Sequence, residues 1–214
     1  YFKVNGSYRD TELRVIDTSG TIVHSSTVNS GLTTGDYINP EVLDLGNSKF
    51  LVQWHYSANH PSVPVTGSNA LVYNYDGTKY GSKFSISDTS SGSAASNRAI
   101  LSSGNNIAVL THNSSNNLSV RIYHALNQTL THNFTVSTNA NFSAAPLIEK
   151  TSQGVLVAWV EGSSNNLYAQ EFGENGFTIN GKKLIATNVN DVAMIISEDD
   201  QEKYDFIWGS STDN

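Results

Sequence analysis

The chain has no cysteine, one methionine and four prolines among 214 residues. Without thiols, structural disulfides and thiolate chemistry are excluded. The compartment stays open, because large extracellular β-proteins can do without disulfides. Charge is scarce as well, with Asp, Glu, Lys and Arg together making up 14%. No run of Lys or Arg occurs, and the formal net charge of −7 opposes the clustered phosphate contacts that nucleic acid requires. The same shortage leaves nothing to hold an anionic membrane surface. No apolar run approaches the roughly 18 residues of a bilayer span, so membrane insertion is not expected. Also missing is the i, i+3, i+4, i+7 spacing of an amphipathic helix. The sequence starts at Tyr1 without a secretory signal, which reads as a processed product or an internal piece of a longer chain.

In place of charge stand Ser, Thr, Asn and Gly, which give a neutral, hydrogen-bonding surface, and an internal repeat. An apolar pentad recurs as Phe50-Leu51-Val52-Gln53-Trp54, Ile107-Ala108-Val109-Leu110-Thr111, Val155-Leu156-Val157-Ala158-Trp159 and Tyr204-Asp205-Phe206-Ile207-Trp208. Tyr1-Phe2-Lys3-Val4-Asn5 is a degenerate copy, and the steps between last residues are 49, 57, 48 and 49. Such a period marks a solenoid, a propeller or an array.

Each pentad is followed by an alternating run: Leu13–Asp17, Leu71–Tyr75, Val120–His124 and Leu167–Phe172. Turn residues come next, at Thr18-Ser19-Gly20, Asp76-Gly77, Leu126-Asn127-Gln128 and Glu174-Asn175-Gly176. Asp-Gly and Asn-Gly between alternating runs are strong hairpin signals, because both residues tolerate positive φ. A third run spans Thr21–Thr27, Lys79–Ser87, Leu130–Ser137 and Lys182–Thr187. A fourth, at Pro40–Leu45, Arg98–Ser102, Pro146–Lys150 and Val192–Ser197, leads into the next pentad. The pentads are apolar on both faces, as in strands buried between sheets, whereas the later runs grow polar.

The fold class expected is all-β: a β-propeller-type array of four-stranded antiparallel blades, with four repeats and the start of a fifth. One domain covers residues 1–214, in units of about 1–45, 46–103, 104–151 and 152–198 with a partial 199–214. The pentad occurs five times and every other strand four times. Three explanations stay open: a fragment of a longer propeller, a ring closed by shared strands, or a subunit whose open edge pairs with the next subunit.

Two units carry a resemblance. Pro40-Glu41-Val42-Leu43-Asp44-Leu45, Phe50–Trp54 and Leu71-Val72-Tyr73-Asn74-Tyr75-Asp76-Gly77 through Phe84 form one such unit. Gly154-Val155-Leu156-Val157-Ala158-Trp159 with Leu167-Tyr168-Ala169-Gln170-Glu171-Phe172-Gly173 through Gly176 form the other. They are similar to the propeller-like repeats of large secreted surface and adhesin proteins, in which a P-x-V…G-G-F-V-V-x-W segment precedes V-Y-A-Q-x-Y/F-D-x-x-G. The third unit departs from that pattern with Thr111 in place of Trp, and the first with Asn5. The resemblance implies an extracellular structural, adhesive or carbohydrate-facing role, and it supplies no catalytic residues.

Several constellations could carry chemistry. Asn-x-Ser/Thr sequons occur at Asn5, Asn113, Asn117, Asn127, Asn133 and Asn141, so N-glycosylation is expected. His55 and His112 follow their pentads, and His60 opens the insertion 60–67. A ligand loop would use Trp54, His55, Tyr56 and His60, since loops on a rigid scaffold are where binding usually sits. No spacing selects the three or four convergent ligands of a metal site, so neither metal nor other cofactor is expected. The acidic run Glu198-Asp199-Asp200 with Glu202 lacks the alternation of calcium loops and reads as a solvated turn. A glycosidase would need two facing carboxylates, and the candidates Asp44, Glu149, Glu161 and Asp205 fall into different units without a motif. Trp54, Trp159 and Trp208 could stack on sugars, but their shared place in the pentad reads as core.

The function expected is an extracellular or cell-surface structural or adhesive glycoprotein without enzymatic activity, self-associating through edge strands into an oligomer or filament. The alternatives are a carbohydrate-binding lectin using inter-blade loops and, less favoured, a propeller glycoside hydrolase.

Overall fold

The computed structural model describes residues 2–5, 8–28, 36–57, 66–86, 99–113, 115–196 and 203–210. The described residues form strands and turns only, and each strand pairing is antiparallel. The chain is all-β, and its strands fall into five separate sheets.

Two compact units are present, residues 1–94 with 125–128, and residues 95–124 with 129–214. In the first unit, β1 (Phe2–Asn5), β2 (Tyr8–Ile16) and β3 (Ile22–Thr27) make a three-stranded sheet. Beside it in sequence, β4 (Asp36–Gly46), β5 (Lys49–Ser57), β6 (Thr66–Asn74) and β7 (Lys79–Ser85) pair in chain order. In the second unit, β8 (Ala99–Ser103), β9 (Asn106–His112), β10 (Leu118–His124) and β11 (Thr129–Ser137) repeat that order. In the next sheet, β12 (Ala140–Asn141) and β13 (Leu147–Lys150) both pair with β14 (Val155–Glu161). β15 (Asn166–Phe172) and β16 (Thr178–Ala186) complete it. The last sheet is the two-stranded β17 (Val189–Ile196) with β18 (Tyr204–Ser210).

Sheets and sequence repeat are offset by one strand. The fourth run of each repeat pairs with the pentad that follows it, so Val42 faces Val52, Ile148 faces Val157 and Met194 faces Phe206. Between β4 and β5, β8 and β9, and β13 and β14 a turn of two to four residues forces this, since the strand then returns along its own edge, whereas seven residues join β17 to β18. A complete sheet therefore reads fourth run, pentad, second run, third run.

Burial follows that order. All of β14 but its last residue is buried, whereas β16 and the first five residues of β11 are largely exposed. Leu13, Val28, Phe50, Val52, Trp54, Leu71 and Tyr73 pack between the two sheets of the first unit. In the second unit, one cluster joins β9 and β10 to β14 around Trp159, and another joins β14 and β15 to Val189 and Val192 of β17.

The four second-to-third-run turns share one left-handed residue each: Gly20 (φ 86°), Gly77 (φ 86°), Gln128 (φ 60°) and Gly176 (φ 85°). Sequence suggested positive φ at both turn residues, yet Asp76 and Asn175 keep negative φ. Residues 17–20 and 74–77 each form a four-residue turn, closed by the Gly20 and Gly77 N–H groups donating to the Asp17 and Asn74 carbonyls. The glycine that ends each turn takes the left-handed position, after which Asp17 N–H and Asn74 N–H donate to the Thr21 and Thr78 carbonyls and the ladder resumes.

The first pentad copy does not take the pentad's place. Val52, Val109 and Val157 face Leu71, Arg121 and Gln170 on the second run. Counted back from its turn glycine, the matching residue of β2 is Arg14, but Lys3 faces Asp10. With only two residues between Asn5 and Tyr8, β1 folds back early and covers only Tyr8–Thr11.

Candidate functional site

Trp159 and Trp54 sit at the same place in their sheets, and both are fully buried. Around Trp159 a polar cluster has formed at the mouth of β14. The indole Nε1 donates to Glu161 Oε1 at 2.8 Å, and Ser137 Oγ donates to the same oxygen at 2.5 Å. Oε2 accepts from the Lys182 ammonium, which also lies 3.9 Å above the Tyr168 ring. Burial would raise the Glu161 carboxyl, but the hydrogen bonds from Lys182, Ser137 and Trp159 outweigh it and hold it below the usual carboxylate range. A general acid must be protonated near neutral pH, and a nucleophile needs an oxygen free to attack. Glu161 is held ionised with both oxygens engaged, so the cluster fastens β11, β14 and β16 together.

That arrangement has a pH consequence. Because the folded-state value is lowered, Glu161 contributes stability above its ordinary value of 4.5 and loses it as pH falls through the lowered one. In thermal unfolding, Glu161→Gln is therefore expected to melt below the parent at pH 7, with the gap closing toward pH 3. A gap that stays constant with pH would show that the charge contributes nothing.

The other carboxylates do not join it. Asp44 accepts from the Tyr75 hydroxyl at 2.7 Å and the Gly46 N–H at 2.9 Å, and these bonds lower its pKa. Glu149 faces Leu156 across the ladder, five residues along β14 from Glu161. At about 3.4 Å per residue that is roughly 17 Å, on the opposite face of the sheet, beyond the roughly 5–10 Å that glycoside hydrolysis needs. Asp205 is exposed on β18. Among the described residues no three His, Asp or Glu side chains gather to hold a metal ion.

Of the ligand-loop residues, Trp54 belongs to the core of the first unit. His55 and Tyr56 continue β5, where their partners are Ser68 and Gly67. His60 and the acidic run at 198–202 lie outside the described residues. The sequons spread over several elements. Asn5 ends β1, and Asn113 and Asn117 flank the β9–β10 turn. The amide oxygen of Asn113 caps that turn by accepting from Ser115 N at 3.0 Å and Asn117 N at 3.1 Å. Asn127 and Asn133 are exposed, the first in the β10–β11 turn and the second on β11. Asn141 is different: its Nδ2 donates to the Gly162 carbonyl at 3.0 Å and to Asn165 Oδ1 at 2.7 Å.

The second unit also holds an open cleft of about 630 Å³ that no sequence motif announced. Gly104, His132, Gln153, Glu174, Asn175 and Phe177 line it, drawn from β11 and the turns before β9, β14 and β16. Asn106 Nδ2 donates to Glu174 Oε2 at 3.1 Å, tying one of those turns to β9. Phe177 is 57% exposed beside amide and carboxylate groups. An exposed ring flanked by such groups can stack on and hydrogen-bond a sugar, and the volume lies in the range of small-ligand sites.

No protein-family model and no curated protein matches the chain.

Proposed function

We propose that this chain is a propeller-type structural or adhesive module that works outside the cell, carries N-glycans and associates with copies of itself through sheet edges. The observation that carries this reading is the state of β18. Its Ile207 is 72% exposed and its Trp208 45%, although Gln53, Leu110 and Ala158, and likewise Trp54, Thr111 and Trp159, are buried at those two places. Among the described residues β18 pairs with β17 alone, and an apolar strand with one open edge is a template for association. Four-stranded sheets recurring in one strand order, with buried pentads and polar outer strands, support blades. The engaged oxygens of Glu161 support a role without catalysis.

Electron microscopy of the purified protein, with intact mass on the same sample, tests the reading. Regular polymers are expected, with mass above the 23.2 kDa polypeptide from added hexoses. Peptide mapping should find glycan at the exposed Asn127 and Asn133 and none at Asn141, where attachment at Nδ2 removes at least one of its two hydrogen bonds. Discrete particles at the bare polypeptide mass would overturn the proposal. The cleft beside Phe177 would then make carbohydrate binding the leading reading.

A further inference from the structure

We propose that the cleft beside Phe177 binds a neutral pyranose sugar, whose C–H face stacks on the Phe177 ring. The site lies within the second unit and does not depend on self-association, so either can fail without the other.

The repeat itself marks this ring as an exception. The residue after the left-handed turn position is Thr21, Thr78 and Thr129 in the first three units and Phe177 in the fourth. Threonine has a local use there. Thr78 Oγ1 donates to Asp76 Oδ1 at 2.6 Å, and Thr21 Oγ1 lies 2.9 Å from Ser19 Oγ. Phenylalanine gives up such bonds and gains little burial in return, since it stays 57% exposed. Turn stability therefore does not account for the exchange.

The first residue of the turn changes in step with it. Asp17, Asn74 and Ala125 stand where the fourth unit has Gly173. A Cβ built on Gly173 would lie 2.4 Å from Phe177 Cε1 and 2.9 Å from Cδ1, so the missing side chain lets the ring settle against the backbone. Gly173 N–H donates to the Phe177 carbonyl at 2.9 Å, and Phe177 N–H donates to Asn175 Oδ1 at 3.2 Å. The ring is seated before any ligand arrives, which lowers the ordering cost of binding.

The turn 151–154, which also lines the cleft, is equally fixed. Thr151 Oγ1 accepts from Gln153 N at 3.2 Å and from Gly154 N at 2.9 Å. The side chains of His132, Ser152 and Gln153 are exposed in the lining and have no hydrogen-bond partner among the described residues. Hydroxyl, carboxamide and imidazole groups both donate and accept, as sugar hydroxyls do. With Lys150 set against Glu174, the described lining holds no cluster of Lys and Arg to clamp a phosphate. A neutral ring with an apolar face and a rim of hydroxyls matches both the seated aromatic and the unspent polar groups.

Saturation-transfer NMR, titrating methyl β-D-galactopyranoside and methyl β-D-glucopyranoside at millimolar concentration, tests the site. Transfer to at least one glycoside is expected, strongest at the ring protons of one C–H face. Phe177→Thr, which installs the residue of the other three turns, should keep the parent's melting temperature and raise the Kd about tenfold. Phe177→Trp should bind at least as well as the parent. No transfer to either glycoside from the parent would overturn the proposal, and so would a Phe177→Thr chain that binds like the parent. A Phe177→Thr chain that melts well below the parent would make the ring a packing residue and overturn its role as the stacking surface.

Discussion

Replacing Trp159 by Ala is expected to lower the unfolding free energy of the second unit by about 3–5 kcal/mol, the usual cost of deleting a buried aromatic. The indole is 1% exposed and packs with Leu110, Val120, Ile148 and Val157 in the largest cluster of that unit. Truncation empties a space that strands on both sides hold open, so the surroundings cannot collapse into it cheaply. It also takes away the Nε1 donor that faces Glu161 at 2.8 Å, leaving that carboxylate one partner short in a half-buried place. Trp208 occupies the same repeat position but is 45% exposed, and Trp208→Ala should cost the single chain only about 0.5 kcal/mol. Urea denaturation followed by circular dichroism compares the two. Equal midpoints would mean that the shared sequence position, and not the completed sheet, determines burial.

That contrast marks how far the sequence could be read. A strand enclosed by neighbouring sheets must be apolar on both faces, so the pentads at Phe50–Trp54, Ile107–Thr111 and Val155–Trp159 were legible as runs. The same composition at Tyr204–Trp208 gave the strand but not its exposure, because exposure depends on which partner strand is present. At Tyr1–Asn5 composition misled. The register there is set by the two-residue connection to Tyr8, and hydrophobicity cannot reveal a slip of four residues. β12 is too short, at two residues, to show any period.

The polar cluster and the cleft were illegible for another reason. Glu161 meets Ser137 and Lys182, which are 24 and 21 residues away, and the spacing carries no pattern because the contacts depend on how three strands align. The cleft draws its residues from separate turns, each unremarkable alone. The turns themselves were legible in place but not in type. Asp76-Gly77 marks a bend, yet only the glycine takes positive φ, because this turn needs one left-handed residue where a two-residue hairpin turn needs two.

Gly154 gives the second large effect, and it arises from space alone. A Cβ built there lies 2.1 Å from the Phe172 carbonyl oxygen and 2.9 Å from Gly173 Cα. Both are backbone atoms, so no side chain can rotate away. Val155, the next residue, faces Phe172 in the β14–β15 ladder, and the Gly154 N–H donates to Thr151 Oγ1 at 2.9 Å. A methyl group must therefore either part the two central strands or break the turn. Gly154→Ala should cost about 3 kcal/mol, the upper end of the overpacking range. Gly20 is glycine for the opposite reason. Its φ is 86° and nothing lies within 4 Å of its added Cβ, so Gly20→Ala should cost about 1–2 kcal/mol of left-handed strain. Asparagine separates the two mechanisms. It tolerates positive φ, so Gly20→Asn should recover part of the loss, while Gly154→Asn should be no better than Gly154→Ala. Recovery at Gly154 with Asn would mean that backbone conformation, and not the approach of Phe172, selects glycine there.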